Sequence, residues 1–351
     1  MTRDELLALV DGGEPVREVD LSGIDLSGAD LGGSIFESVS LRDALMTGAK
    51  LDEATFIDVD FSGAELGKSS LHLTSMINPV LAGARLTDAM LVNAKFIDAD
   101  LRGADLSGSN LTIAAFINPK LAGASLARCN LDRASILNSD ASDLDLSGAT
   151  LSQTVLMETN LVTAKVDGTL WRRVVLLKSV LAGMNLAGTD FSEAQCMDAD
   201  FSGADLRGST LTQCNFKGAL LAGTRFDRAR LDNALFMQAK AAGANFDRAS
   251  LRQAIFLEAD LAQANFSGCD LWQAQFTRAL CAGTRFAGSD LTYCDFSHAD
   301  LSGADMSATK LFRAKLHRAK QDKANWNQSN KEDALGDDPE LAKAEDWKPP
   351  Q

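Results

Sequence analysis

The sequence predicts an all-β solenoid, a short unit stacked many times around one narrow core, and three observations carry that expectation. From Leu21 to Leu316 every fifth residue is Leu, Phe, Met, Ile, Val, Ala, Cys or Trp, sixty positions without a slip. A period of five is neither the 3.6 of a helix nor the 2 of a strand, so it marks a repeat architecture. Two residues before each comb position sits a mostly small residue, as at Ala29, Ala44, Ala49, Ala94 and Ala104. Finally, twenty of the twenty-two glycines two residues past a comb position fall in two columns of period twenty, one containing Gly23 and Gly303, the other Gly28 and Gly288.

Phenylalanine keeps its own twenty-residue columns, from Phe36 to Phe296 and from Phe226 to Phe286, and MINPVLAGA at 76–84 returns as FINPKLAGA at 116–124. One coil is therefore twenty residues, with four faces of five. Each face is a short extended piece ending in a tight turn. Glycine two residues past the comb suits a turn position of positive φ; two faces are expected to use it and the other two to turn without it. Fifteen coils at about 4.8 Å each would make a rod on the order of 70 Å long.

A helical cap is expected over residues 1–15. Thr2-Arg3-Asp4-Glu5 has the form of a capping box, apolar residues follow to Val10, and Gly12-Gly13 stop the helix. Such a cap covers the bare edge of the first coil. The solenoid is expected over 16–326 and a polar tail over 327–351. Within the tail, Asn327 to Gly336 is read as flexible. Asp338-Pro339 is read as an N-cap with proline at the first helical position, opening a short helix through Trp347 that Pro349-Pro350 ends.

Ala-Asp-Leu at 29–31, 99–101, 104–106, 204–206, 259–261 and 299–301 resembles the unit of the pentapeptide-repeat family, and the resemblance extends over about nine-tenths of the chain. It implies a right-handed quadrilateral parallel β-helix with comb and small residues pointing inward. Within the family, Met1-Thr2-Arg3-Asp4-Glu5-Leu6-Leu7 running into Leu21-Ser22-Gly23, with the tail Asp338-Pro339-Glu340-Leu341-Ala342, looks like accessory proteins of bacterial type VI secretion. The resistance-type members imply an alternative, an acidic DNA mimic that binds a type II topoisomerase (gyrase).

Charge bears on that alternative. The formal net charge is −14, with residues 1–150 carrying 11 basic and 23 acidic groups, a net of −12, and residues 151–318 a net of +1. B-DNA carries about one charge per 1.7 Å of axis, roughly twenty over the length of the acidic half, so the mimicry is incomplete. The balance also disfavours nucleic acid as a partner and allows a basic protein. No apolar run approaches the length of a membrane span, and Asp4, Glu5 and Asp11 interrupt the apolar residues of the N-terminus, against a secretory signal.

All six cysteines fall on inward columns without Cys-x-x-Cys spacing: Cys196 and Cys281 on the comb, Cys129, Cys214, Cys269 and Cys294 at the small position. They are read as core filler in a reducing compartment, the cytoplasm. His298 and His317 lie near one end and His72 far from both, so each histidine is expected on the solvated surface and no metal or other cofactor is called for. The Ser-Gly pairs are turn corners, not a phosphate loop leading into a helix. The aspartates before comb positions, such as Asp20, Asp100 and Asp300, sit in equivalent exposed places, whereas an acid-base pair needs two different environments. The chain is expected not to be an enzyme, with no catalytic residue.

Function is then sought where the pattern breaks. The residue just after a comb position should be polar on a solvated face. On one face it reads Ile57, Ile77, Ile97, Ile117, Leu137, Met157, Leu177 and Met197, then Lys217, then Met237 and Leu257. Ala115, Val155, Val175, Leu235 and Ile255 widen this ladder on the same face, and Val80, Val180 and Leu220 do so round the next corner. A long exposed apolar strip marks an interface and suits side-by-side packing, including a two-fold homodimer. The competing reading is a ladder whose members cover one another. A secondary patch is expected at Trp272, Tyr293 and Phe312, since aromatic clusters anchor interfaces, and Leu341 and Trp347 are candidate anchors of the tail. Thr169 to Val180 is also irregular, with Trp171 on the comb and Leu170, Val175, Leu177 and Val180 facing out.

Overall fold

The structure, a computed structural model, describes residues 1–347; the expected helix stop at Pro349-Pro350 lies outside them. It opens with helix α1, Arg3–Asp11. Thr2 Oγ1 accepts from the Glu5 N–H while a Glu5 carboxylate oxygen accepts from the Thr2 N–H at 2.8 Å, the reciprocal pair the sequence announces. Leu6 is fully buried, and the Arg3 guanidinium donates to the carbonyls of Asp25 and Ser27. The helix is thereby tied to the edge of the first coil.

The chain divides into two compact units, Met1–Val180 and a second from Leu181 onward. In the first unit eight strands form one parallel sheet in chain order: β1 (Val16–Arg17), β2 (Ile35–Glu37), β3 (Thr55–Ile57), β4 (Ser75–Ile77), β5 (Lys95–Ile97), β6 (Ala115–Ile117), β7 (Ser135–Leu137) and β8 (Val155–Met157). Every register advances by twenty, as in Phe36↔Phe56 and Ile97↔Ile117. The fold is thus an all-β parallel solenoid with a short N-terminal helix. Its strands amount to about seven turns, not the fifteen coils expected. The comb counts sequence repeats, whereas a strand needs consecutive paired residues. A five-residue face with turns at both ends mostly keeps one. Elsewhere the same twenty-residue step survives as isolated bridges, such as Asp105↔Ser125 in the first unit and Asn245↔Asn265 in the second.

The comb is the core in both units. Fifty-nine of its sixty side chains are buried and Val166 is half-buried, so the period predicts the inward side correctly almost everywhere. In the second unit two columns of phenylalanine rise through the core. Phe236, Phe256 and Phe276 stack with centroids 4.7 and 4.8 Å apart, and Phe226, Phe246 and Phe266 with centroids 4.8 and 4.5 Å apart. That spacing is the strand-to-strand distance itself. The columns meet edge to face, as Phe246 and Phe256 do at 87°, the other favourable aromatic geometry. At the small inward position a hydroxyl or thiol replaces alanine without penalty because it finds a carbonyl one coil earlier. Ser109 donates to Leu86 O at 2.6 Å, Thr154 to Leu131 O at 2.6 Å and Cys129 to Leu106 O at 3.0 Å.

The turns differ from expectation. All four faces, not two, place the corner residue, two past the comb position, in the left-handed region, including Ser38 (φ 54°), Asp58 (54°), Ile113 (61°) and Tyr293 (62°). The cause is hydrogen bonding between coils. The corner N–H must point along the solenoid to reach the next carbonyl, as Gly103 N–H does to Ala122 O (3.1 Å), Asp58 N–H to Ile77 O (2.9 Å) and Ile113 N–H to Asp132 O (3.0 Å). On the ladder face the corners from Asp58 to Asn138 meet this demand with Asp and Asn, which tolerate the conformation. Their side chains link between coils, Asn78 to Asp58 at 2.9 Å and Asn118 to Asp98 at 3.0 Å.

Past Leu316 the comb turns polar at Gln321. The segment read as flexible is held in place: a 3-10 turn at Lys331–Asp333 leads to Leu335, which bridges to Lys315 and accepts from the Leu316 N–H at 2.8 Å. Leu335 lies twenty residues after Lys315 and so continues the register. Helix α2, Pro339–Glu345, follows, with the Asp338 carboxylate accepting from the Glu340 and Leu341 N–H groups.

Two predictions concern this scaffold. Ile113 is β-branched, exposed and left-handed. Ile113→Gly should raise stability by about 1 kcal/mol in thermal or denaturant unfolding, since the removed strain exceeds the entropy cost of glycine. The turn aspartates should make the fold acid-labile. Hydrogen bonds from Ser22 to Asp20, from Arg207 to Asp205 and from Ser302 to Asp300 hold these carboxyls below the ordinary 3.8. Their folded values are depressed, so their stabilisation is full above that value and is lost as pH falls through the folded values. The melting temperature should therefore hold down to mildly acidic pH and fall below about pH 4.

Candidate functional site

The outward ladder forms within each unit. In the first, consecutive members are direct cross-strand partners: Ile57↔Ile77, Ile77↔Ile97, Ile97↔Ile117, Ile117↔Leu137 and Leu137↔Met157. Leu177 follows, its carbonyl accepting from the Glu158 N–H. In the second unit Met197, Met237 and Leu257 occupy the same place, with exposed Lys217 between them. Ile117, 36 % exposed, is the most open of the ten, and the other nine are half-buried. Mutual cover thus removes part of the strip that the sequence leaves to solvent, and the outer edge remains. Trp171 is buried, while Leu170 beside it is 60 % exposed.

In the second unit the three aromatics of the expected patch touch. Trp272 meets Tyr293 edge-on at 6.5 Å, and Tyr293 meets Phe312 at 5.8 Å. Tyr293 and Phe312 are exposed, and Trp272 is half-buried beneath the Arg252 guanidinium, 4.7 Å from its ring. Arg252 is itself held by Asp270 at 2.9 Å. A shallow polar recess of about 370 Å³ adjoins the patch, lined by Gln253, Gln273, Gln275, Tyr293, Asp295 and Lys315.

A further cluster lies where α2 docks, and sequence reading missed it. His317, expected on the surface, is buried because α2 lies over it. His298 and His317 are nineteen residues apart, and a twenty-residue coil sets them side by side, rings 5.5 Å apart and nearly perpendicular. Glu345 reaches back from α2 to both: Oε1 is 3.0 Å from His298 Nε2 and Oε2 is 3.3 Å from His317 Nε2. The Asp338 N–H donates to His317 Nδ1 at 3.0 Å. Arg318 closes the contact, its guanidinium donating to Ala342 O at 2.9 Å and meeting Asp346 at 2.6 Å and Glu345 at 3.2 Å. Hydrogen bonds from His298 and from Arg318 hold the Glu345 and Asp346 carboxyls below their ordinary ranges. The spacing of nineteen was the available signal; the position of α2 was not legible. Leu341 and Trp347, the expected tail anchors, are both exposed, so the helix docks through its polar residues instead.

Groups that could do chemistry are committed elsewhere. All six thiols are free and buried. Burial pushes those of Cys129, Cys214 and Cys269 up to about 12, and those of Cys196, Cys281 and Cys294 upward as well, so none supplies a thiolate near neutrality. The aspartates before the comb accept from the N–H two residues on, as in Asp20–Ser22 (2.9 Å) and Asp300–Ser302 (3.0 Å), and so serve the turns. Docking of α2 rests on Arg318. Arg318→Ala should make the amides of Ala342 to Asp346 exchange hydrogen roughly tenfold faster, while amides of the comb residues in the same unit keep their protection.

Family comparison agrees with this architecture. A model described as pentapeptide repeats (8 copies) matches residues 17–52, 34–76, 69–108, 176–213, 269–307 and 279–318, together over half of the chain, and one described as a pentapeptide repeat region matches 209–286. No curated protein matches the chain. Among solved structures it is similar to HetL, a pentapeptide repeat protein involved in heterocyst differentiation regulation from the cyanobacterium Nostoc sp. strain PCC 7120, at 21 % identity over 96 % of this chain and 98 % of that one, TM-score 0.28. It is also similar to full-length QnrB1, a plasmid-mediated fluoroquinolone resistance protein, at 16 % identity over 54 % and 92 % of the two chains, TM-score 0.32. A pentapeptide repeat protein of the Arabidopsis thaliana thylakoid lumen shares 26 % identity over 40 % and 70 %, TM-score 0.14. With its five-residue comb, its twenty-residue register and these family matches, the chain belongs to the pentapeptide-repeat family.

Proposed function

We propose that the protein is a non-enzymatic scaffold that binds other proteins through apolar and aromatic surface. The observation that carries this reading is the contiguous patch of Trp272, Tyr293 and Phe312, a chain of three large aromatic rings of which Tyr293 and Phe312 are open to solvent and Trp272 is half-buried. Aromatic clusters of this kind are enriched where binding energy concentrates. The outer edge of the ladder, with Ile117 its most open member, supplies a second surface of the same character. Buried thiols and turn-bound aspartates support the absence of catalysis. Six free thiols fit a reducing compartment, hence the cytoplasm. Among the described residues no helix is long and apolar enough to cross a membrane.

Two finer parts of this reading rest on family resemblance alone. One is a right-handed, four-sided cross-section. The other is service as an accessory of a bacterial type VI secretion system, carried by the residues 1–7 and 338–342. The acidic balance belongs to residues 1–150, so the reading expects no block of DNA supercoiling by gyrase at stoichiometric protein; strong inhibition would favour the DNA-mimic alternative.

The experiment compares Tyr293→Ala/Phe312→Ala with Ile97→Lys/Ile117→Lys in co-purification from the native host and in light scattering. Loss of a co-purifying protein in the aromatic variant, with the melting temperature retained, is the expected result. A halved mass in the lysine variant would assign the ladder to a homodimer. Unchanged partners and mass in both would sink the proposal.

A further inference from the structure

The geometry points to a divalent transition-metal site, fitted best to zinc, built from His298, His317 and Glu345, that clamps α2 onto the solenoid. The three ligand atoms lie within 4.8 Å of one another, two from adjacent coils and one from the helix. In a tetrahedral nitrogen-oxygen zinc site, bonds of about 2.0–2.2 Å set neighbouring ligands roughly 3.3 Å apart. His298 Nε2 lies 3.0 Å from Glu345 Oε1 and His317 Nε2 lies 3.3 Å from Glu345 Oε2, so the carboxylate already reaches both rings, one oxygen to each. One ligand atom from each of the three residues lies within 4.8 Å of the other two, so a contraction of at most about 1.5 Å a side brings the set to that spacing. Two imidazoles with one carboxylate suit zinc and its neighbours rather than calcium or magnesium, which prefer oxygen alone.

The surroundings favour a cation. The His317 side chain is 4 % exposed, and those of His298 and Glu345 are 29 % exposed. Around them stand the carboxylates of Glu345, Asp337 and Asp346 against the Arg318 guanidinium. The proton accounting is explicit. Without an ion, the Asp338 N–H donates to His317 Nδ1, so Nε2 carries the ring proton and donates to Glu345. An ion on Nε2 displaces that proton, and the neutral ring then carries its hydrogen on Nδ1. Asp338 N–H has to leave Nδ1, and Asp337 Oδ1, 3.9 Å from it, is the acceptor at hand. A carboxylate in that place orients a metal-bound histidine and raises its basicity. Because one ligand comes from α2, an ion would strengthen the docking that Arg318 already supports, and would set how firmly Leu341 and Trp347 are presented.

The test uses the full chain stripped with a chelator and titrated with zinc chloride by calorimetry, and with cobalt(II) by absorption. Expected are about one ion per chain and a cobalt spectrum of nitrogen-oxygen ligation without a thiolate charge-transfer band. Asp337→Asn should weaken binding ~10–100-fold, and His298→Ala and Glu345→Gln by more. His72→Ala should leave it unchanged. Glu345 lies on α2, so Glu345→Gln keeps the test valid if His298→Ala disturbs the solenoid. Three results would each overturn the assignment: no saturable uptake, uptake that survives in both ligand variants, or a thiolate band.

Discussion

Each coil satisfies most of its backbone through the coils on either side of it. The comb amide donates to a carbonyl nineteen residues on, as Leu101 N–H does to Lys120 O, and the corner amide does the same, as Gly103 N–H does to Ala122 O. The residue after the corner, two before the following comb position, donates back to the comb carbonyl, as Ala104 does to Leu101. A fixed twenty-residue step is the only arrangement that keeps all of these bonds at once. It brings like residues over like residues, and the phenylalanine columns, the interior hydroxyls that reach a carbonyl one coil back, and the Asn–Asp links at the corners are consequences. It also places a left-handed corner on every face, at every comb step from Leu21 to Leu316 except at Thr163.

The same step decides the surface. Outward side chains of adjacent coils stand about 4.8 Å apart, close enough to cover one another. A column of Ile and Met is consequently less exposed than its sequence suggests, as nine half-buried ladder members show. Bulkier or differently directed rings escape this cover, and Tyr293 and Phe312 stay open. Opposite charges one coil apart meet in the same way, as Lys178 and Glu158 do at 3.2 Å and Lys50 and Asp30 do at 3.2 Å. Such exposed pairs contribute little each.

Most of the fold was legible in the chain. The comb identifies the core, with Val166 the single half-buried member. Thr2 and Glu5 announce α1, and Asp338-Pro339 announces α2. The corners were legible only where glycine stands. At Leu73, Ile113 and Tyr293 nothing local signals a positive φ, because the demand comes from a carbonyl in the next coil. Of the candidate sites, the aromatic patch could be assembled by counting in twenties. The histidine pair could have been found the same way, nineteen residues being one coil less one, but Glu345 could not.

By itself, then, the sequence determined the solenoid, its step and its inward column, because a strict period leaves one side of every face apolar and that side has to be buried. Tertiary structure decided how much of the ladder stays wet, which corners carry strain, and that His317 lies under a helix rather than in solvent. Those outcomes depend on neighbours one coil away, or on a helix returning across the end of the repeat, and neither is encoded in the residues adjacent in the chain.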